Sequence, residues 1–140
     1  MSAVAWARDL SWRIAHNIVP VNAYMFNLKI SKNATCPYCK WPETLSHCFY
    51  SCTVVKPVWT FVESWITAVL GSRFVISANF VVYFQDLNVR SKSMRTFVNV
   101  IASELKLVIW FHRNRTKFEK KTPTTAKIFK DTLYTQLITG

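Results

Sequence analysis

Glycine, acidic side chains and long apolar stretches are all scarce in this sequence. Two glycines and five prolines in 140 residues are too few for a disordered or low-complexity chain. Because 51% of the residues are hydrophobic, a chain of this length can bury a substantial core. No window reaches ~18 uninterrupted apolar residues, and the first twelve residues already carry charges, so we expect neither a membrane span nor a signal peptide. The composition therefore predicts a globular domain that is not secreted.

The shortage of acidic side chains leaves the chain strongly basic. Eighteen lysines and arginines stand against seven aspartates and glutamates, which gives a net charge of +11. The excess is concentrated in residues 87–140, which carry eleven basic and three acidic side chains. A positive field of this kind attracts polyanions, above all nucleic acid, although charge alone does not separate RNA from DNA or from an acidic protein.

Cysteine is absent outside one short segment, "CPYCKWPETLSHCFYSC", residues 36–52. In a reducing compartment, clustered cysteines favour a metal ion over disulfides. Cys36, Cys39, His47 and Cys52 have the spacing of a tetrahedral zinc site, with a Cys-x2-Cys turn followed by a histidine and a last cysteine. Four protein ligands leave no open coordination position, so we expect one structural Zn²⁺ that activates no water.

Several alternatives to this zinc site stay open at the level of sequence. Cys48 is a rival ligand, but it neighbours His47 and both side chains cannot easily reach one ion, so Cys48 is expected in the apolar core. The thiols could instead be unrelated buried or free cysteines. A redox Cys-x2-Cys pair lacks a βαβ context, and a cysteine–histidine nucleophile lacks a third group to orient the histidine.

Apolar side chains at helical spacing predict a mainly α-helical chain. We expect helices over residues 2–20, 21–30, 54–71 and 91–118, an extended segment over 74–87, and a last helix that starts near residue 122. The second helix is expected to bury Met25, Phe26, Leu28 and Ile30. Four tryptophans at helical spacing are expected in the core: Trp6, Trp59, Trp65 and Trp110.

Three pieces of the sequence resemble the zinc-binding C-terminal domain of reverse transcriptases from non-LTR (LINE-type) retrotransposons. They are "LSWRIAHNIVPVNAYMFNLKI", "CPYCKWPETLSHCFYSCTVVKPVW" and "VIWFHRNRTKFEKK", in the order that the family has them. Glu43-Thr44 ahead of His47 is the most specific detail, because generic zinc knuckles do not carry it. Cys48 departs from the pattern, since the family usually has an apolar residue there. The similarity runs from about Leu10 to Lys121.

The resemblance implies the same four zinc ligands, with Trp59 and Trp110 packing the flanking helices and Arg113 and Asn114 forming a polar helix end. Domains of this family follow the polymerase body, handle template RNA or target DNA, and contain no catalytic residues. The three aspartates of this chain stand far apart and do not resemble the paired aspartates of a polymerase. We therefore expect no active site in this region, although the parent protein would be an RNA-directed DNA polymerase and endonuclease.

Basic and aromatic side chains supply the candidate contacts to nucleic acid. Cations at the end of the long helix can bind phosphates, and Trp41, which lies beside the metal ligands, can stack on an unpaired base. A solvated helix end is the competing interpretation of the cations. The predicted contacts are Lys32, Lys40, Trp41, Arg113, Arg115, Lys117, Lys120 and Lys121. Residues 87–140, which contain the last five of these, also carry Arg90, Lys92, Arg95 and Lys106.

The sequence thus predicts a small, mainly α-helical domain built around a structural CCHC zinc knuckle. We expect a single domain over residues 1–140, with a helix pair (1–35), the knuckle (36–52) and a helical bundle with a basic long helix (53–140). The expected partners are RNA and/or DNA and the rest of a reverse transcriptase, with no membrane and no small-molecule substrate. The expected location is the nucleus and cytoplasm, as a ribonucleoprotein. The alternative function is that of a structural module that docks on the polymerase body or another protein. This alternative covers the case in which the chain is a domesticated stand-alone gene product.

Overall fold

A computed structural model describes residues 3–85 and 87–120, together with residues 125, 127, 128 and 131. Within these residues the chain is mainly helical and contains no strand, only an isolated bridge between Thr35 and Pro42. None of the described helices combines the length and the hydrophobicity that crossing a membrane requires. The helices are α1 (Ala3–Ala15), α2 (Asn22–Asn27), α3 (Lys56–Leu70), α4 (Ala78–Tyr83) and α5 (Lys92–Glu119), and a π-helical turn covers His47–Ser51.

The helix ends follow from local sequence chemistry. Pro57 lies in the first turn of α3, where a missing N–H costs nothing, and Gly71 ends that helix in the left-handed conformation. The hydroxyl of Ser91 caps α5 by accepting a hydrogen bond from the N–H of Met94 at 3.3 Å. The predicted third helix and the predicted long helix are thus confirmed.

The π-helical turn lies where α3, α4 and α5 meet, and α1 packs against α4 and α5. Phe49 of this turn is fully buried, and its carbonyl accepts a hydrogen bond of 2.7 Å from the indole N–H of Trp59. The ring of Phe49 also stacks on Trp110 of α5, with 5.8 Å between the ring centroids. Trp59 and Trp110 therefore connect the flanking helices through the metal-binding segment, as the resemblance implied.

Three expectations about structure were wrong. The extended segment over 74–87 contains α4 instead, because the hydroxyl of Ser77 accepts a hydrogen bond from the N–H of Phe80 and starts a helix that overrides the β propensity of its residues. The second helix ends at Asn27, so Leu28 and Ile30 lie in an exposed turn. Large apolar side chains expected in the core are exposed: Trp6, Phe26, Leu28, Ile30 and Trp65.

The predicted last helix, from residue 122, lies largely outside the described residues. Residues 125, 127, 128 and 131 are helical. The hydroxyl of Thr125 donates a hydrogen bond of 3.0 Å to the carbonyl of Val54, and Ile128 is buried. This region therefore contacts the chain just before α3.

Lys106 of α5 is buried, although the sequence placed it among the basic surface residues. Its Nζ donates a hydrogen bond of 2.8 Å to the carbonyl of Val81 and lies 3.9 Å from the ring centroid of Phe84. The amine thus holds the C-terminal end of α4 against α5. Burial lowers the pKa of Lys106 to about 7.

The low pKa of Lys106 predicts a pH-dependent stability. Between pH 7 and pH 10 the unfolded chain binds a proton that the folded chain does not, so the free energy of unfolding should rise with pH across this window. The slope from this one group approaches about 1.4 kcal/mol per pH unit. Lys106→Met should remove this contribution, whereas Lys92→Met, at an exposed position on the same helix, should leave it unchanged. Urea unfolding at several pH values measures the difference, and identical pH dependence in the wild type and Lys106→Met would contradict it.

Candidate zinc site

The structure brings together the four side chains that the spacing predicted as zinc ligands. One donor atom from each of Cys36, Cys39, His47 and Cys52 lies within 4.8 Å of the other three. The sulfur atoms of Cys36 and Cys52 are 3.9 Å apart, and the sulfur of Cys39 is 3.2 Å from Nε2 of His47. Around a tetrahedral zinc, two sulfurs at ~2.3 Å are separated by roughly 3.8 Å. The donor set therefore fits one zinc ion with three sulfurs and one imidazole nitrogen.

Two backbone segments position these ligands, the loop that carries Cys36 and Cys39 and the π-helical turn that begins at His47. The N–H of Cys36 donates a hydrogen bond of 2.8 Å to the carbonyl of Trp41, which closes the loop that carries Cys36 and Cys39. The N–H of Tyr38 points at the sulfur of Cys36, 3.4 Å away, as donors to metal-bound sulfur do. The hydroxyl of Thr44 accepts a hydrogen bond of 3.1 Å from the N–H of His47 and so starts the π-helical turn. Thr44 thus orients the histidine ligand.

The electrostatics of the cluster suit a cation. The hydrogen bond between the two sulfurs lowers the pKa of Cys52 and raises that of Cys36. Burial lowers the pKa of His47, which favours the neutral imidazole that a metal requires. A cation among these side chains would keep all three thiols in the thiolate form. The ion would bind the loop to the turn and supply structural rigidity.

Cys48 lies outside this cluster. Its side chain is buried in the apolar core, and burial raises the pKa of its thiol well above the usual range. This is the position expected for the rival cysteine when His47 is the metal ligand.

Phe49, on the same turn, is also fully buried, whereas Tyr50 is half-buried and its hydroxyl donates a hydrogen bond of 2.8 Å to the carbonyl of Ile76.

A buried ion pair connects the knuckle to the long helix. Glu43 is 0% exposed and Arg113 of α5 is 2% exposed. Oε2 of Glu43 accepts a hydrogen bond of 2.9 Å from Nε of Arg113, and Oε1 accepts a second one from the terminal nitrogen of the same guanidinium. The contact is bidentate, which is the geometry in which arginine binds a carboxylate most strongly. The plane of Arg113 also lies over the ring of Trp110, 4.6 Å from its centroid.

Asn22 at the start of α2 completes this network. Its N–H donates a hydrogen bond of 2.6 Å to Oε1 of Glu43, and its side-chain oxygen accepts hydrogen bonds from Arg113 at 3.1 Å and Lys117 at 2.8 Å. The side-chain amide of Asn22 donates to the carbonyl of Thr35, the residue before the first zinc ligand. The helix pair, the knuckle and the long helix therefore meet at one set of buried polar groups.

This network changes the predicted surface for nucleic acid. The prediction that Arg113 contacts phosphate is wrong, because the guanidinium is buried and bonded to Glu43, Asn22 and Asn114. Lys117 is half-buried against Asn22, and Arg115 lies 3.6 Å from the carboxylate of Glu119. Lys121 lies outside the described residues. The predicted contacts that the structure leaves exposed are Lys32, Lys40, Trp41 and Lys120.

Sequence reasoning missed the roles of Asn22 and Glu43. Glu43-Thr44 resembles the family signature and Arg113 is predicted at a polar helix end, but the two charges are 70 positions apart in the sequence. No periodicity or spacing rule joins charges so far apart in sequence. The one available signal was an acidic side chain within an otherwise basic and aromatic segment.

Removal of one sulfur ligand should release the metal. Cys39→Ser leaves three ligands, so we expect loss of the bound zinc and local unfolding of residues 36–52, because metal binding and folding are coupled. Cys48→Ala is the matched control, since Cys48 lies outside the cluster, and it should keep one zinc per chain. Native mass spectrometry gives the stoichiometry. Full zinc occupancy in Cys39→Ser would contradict the assignment of the ligands.

Neutralising the buried carboxylate should cost much more than neutralising a surface charge. Glu43→Gln leaves the guanidinium of Arg113 buried without its counter-ion, so the free energy of unfolding should fall by about 3–5 kcal/mol. Arg115→Gln, which removes the exposed pair with Glu119, should cost less than about 1 kcal/mol. Urea unfolding of the zinc-loaded proteins measures both losses. Equal losses would show that the Glu43–Arg113 pair has no special role.

Comparison with known proteins agrees with the geometry. Residues 4–59 match the family model described as zinc-binding in reverse transcriptase. Searches of curated proteins and of solved structures returned no match. The matched segment contains the four clustered ligands, which supports one structural zinc as the cofactor. Residues 4–59 are therefore similar to the zinc-binding region of reverse transcriptases, which confirms the predicted resemblance to that zinc-binding region over this segment.

Proposed function

We propose that this chain is a non-catalytic, nucleic-acid-binding part of a LINE-type retrotransposon reverse transcriptase and that it contacts template RNA and/or target DNA. The family match supports an association with reverse transcription. The net charge of +11 supports a polyanionic partner. In this proposal the polymerase and endonuclease chemistry lies elsewhere in the parent protein, which acts as a ribonucleoprotein in the nucleus and cytoplasm.

The exposed Trp41 beside the metal carries this proposal. Its side chain is 68% exposed, although the carbonyl of the same residue is hydrogen-bonded to the N–H of Cys36, a zinc ligand. The next residue, Pro42, pairs with Thr35 in the isolated bridge. The zinc-bound loop therefore holds an aromatic ring in solvent on a rigid backbone, which is the arrangement that stacks on an unpaired base.

Exposed lysines complete the proposed surface, and two of them are close to the zinc loop in sequence. Lys40 immediately precedes Trp41, and Lys32 lies in the segment that leads into the loop. Lys120 ends α5, with its backbone in the left-handed conformation. These cations would contact backbone phosphates. Arg113 would not contact phosphate itself, but its hydrogen bond to Glu43 holds the zinc loop against α5.

Exposed apolar side chains favour docking as a second candidate function. Phe26, Leu28 and Ile30 follow one another near the end of α2, and Phe111 and Phe118 project from α5. Apolar side chains clustered on a surface mark contacts with other proteins. The polymerase body is one such partner, and a domesticated stand-alone product would use these side chains to contact another protein.

Truncation of Trp41 tests the proposed stacking. Trp41→Ala should weaken binding to single-stranded RNA by about 1–3 kcal/mol for each base stacked, because the aromatic surface is lost while the lysines remain. Trp6→Ala is the matched control, since Trp6 is also exposed but belongs to α1 and not to the zinc loop. Filter-binding titrations of matched RNA and duplex DNA across salt concentrations measure both effects.

The salt dependence separates the two candidate functions. Binding through phosphates weakens steeply as salt rises, so the logarithm of the affinity should fall linearly with the logarithm of the salt concentration. Lack of binding at low salt, or binding that does not change with salt, would contradict the nucleic-acid proposal and favour docking. Zinc stoichiometry measured on each variant shows that the loop is intact.

A further inference from the structure

Phe118 is the most exposed large apolar side chain among the residues that the structure describes, at 71%. It lies near the end of α5, which stays helical up to its cap at Lys120, where the backbone N–H donates a hydrogen bond of 3.0 Å to the carbonyl of Thr116. The ammonium group of Lys117 lies 5.3 Å from the centroid of the Phe118 ring. An ordered helix end therefore holds an aromatic ring in solvent with a cation beside it.

A series of polar contacts joins this helix end to the loop that carries Trp41. Nζ of Lys117 donates a hydrogen bond of 2.8 Å to the side-chain oxygen of Asn22. The side-chain amide of Asn22 donates a hydrogen bond of 2.6 Å to the carbonyl of Thr35. Thr35 pairs in the isolated bridge with Pro42, the residue after Trp41. The end of α5 and the exposed tryptophan are therefore linked through three short contacts.

The buried ion pair makes a second connection between the same two segments. Arg113, one turn before Lys117 on α5, is bonded to Glu43, which follows Trp41 by two residues. A satisfied network of buried polar groups makes the segments that it joins rigid. The two exposed rings, Trp41 and Phe118, are therefore held in a fixed relation on neighbouring segments.

The charges near the two rings favour a polyanion as the partner. Lys40 and Lys120 are exposed and flank the rings in sequence, and Lys117 lies beside one of them. The neighbouring carboxylate of Glu119 lies 3.6 Å from the guanidinium of Arg115. A protein that covered the rings would take these ammonium groups out of water, which costs free energy, whereas phosphates would neutralise them. The partner is therefore more compatible with a nucleic acid than with a docked protein.

We propose that Phe118 is a second base-stacking side chain, which together with Trp41 holds a segment of single-stranded nucleic acid. Unpaired bases of one strand stack on aromatic rings while nearby cations contact its phosphates. Bases within a duplex are stacked on each other, so their faces are closed to both rings. This inference rests on the proposed function and adds a second stacking residue, and hence an unpaired substrate, to it.

Phe118→Ala tests the second contact on the zinc-loaded 140-residue chain. Octauridine and octathymidine serve as the RNA and DNA probes, and the affinity for the tighter-binding strand should fall about fivefold or more, because one stacked base is lost. The affinity for a blunt-ended duplex should stay unchanged. Phe97→Ala should change neither affinity, since Phe97 is an exposed phenylalanine of the same helix that lies roughly 30 Å from Phe118 along the helix axis.

Phe118→Leu separates base stacking from a general apolar contact. Leucine keeps an apolar side chain but has no aromatic face, so the affinity for the single strand should fall as it does in Phe118→Ala. Phe118→Trp should keep the affinity of the wild type or exceed it. Retention of full affinity in Phe118→Leu would overturn the inference, and so would an equal loss on the single strand and the duplex in Phe118→Ala.

The same titrations distinguish failure of this inference from failure of the proposed function. If the single strand binds with a steep salt dependence and only Trp41→Ala weakens it, this inference is overturned and the proposed function stands. If neither the strands nor the duplex bind at low salt, both are overturned. Zinc stoichiometry and melting temperature should match the wild type in every Phe118 variant, because the side chain is exposed.

Discussion

The bidentate contact between Glu43 and Arg113 is the interaction on which the rest of the structure depends. It joins the zinc loop to the long helix across 70 residues of sequence, and both groups are buried. Two buried charges gain little stability as a pair, but loss of either one leaves a charge without compensation. The same contact recruits Asn22, whose amide holds the carbonyl of Thr35 at the edge of the zinc loop. The pair therefore fixes where the metal site lies relative to the helices.

This arrangement separates the basic residues into two groups. Arg113 and Lys106 are buried and hold elements together, one through Glu43 and the other through the carbonyl of Val81. Lys32, Lys40 and Lys120 remain in solvent, where they can attract a polyanion. Net charge alone overstates the surface available to nucleic acid, because it counts both groups. The rigid loop that exposes Trp41 is thus a better guide to the proposed contact than the density of cations on α5.

Local chemistry explains which features were predictable from the sequence. Ligand spacing indicated the zinc site, and apolar periodicity predicted helices over 54–71 and 91–118 that the structure confirms as α3 and α5. Other segments did not follow the propensity or the apolar pattern of their own residues. The helix α4 forms in residues of high β propensity after the cap at Ser77, and Leu28 and Ile30 are apolar yet exposed. The partner of Arg113 was not predictable either, since it is distant in sequence.

Amide hydrogen exchange before and after removal of zinc tests the central claim most directly. If the pair of Glu43 and Arg113 transmits the order of the zinc loop to α5, chelation should speed exchange in residues 36–52 and also around Arg113. The part of α5 around Ser103, whose hydroxyl is hydrogen-bonded to Ser11 of α1, should keep its protection. Faster exchange confined to residues 36–52, with the amides around Arg113 unchanged, would contradict the account.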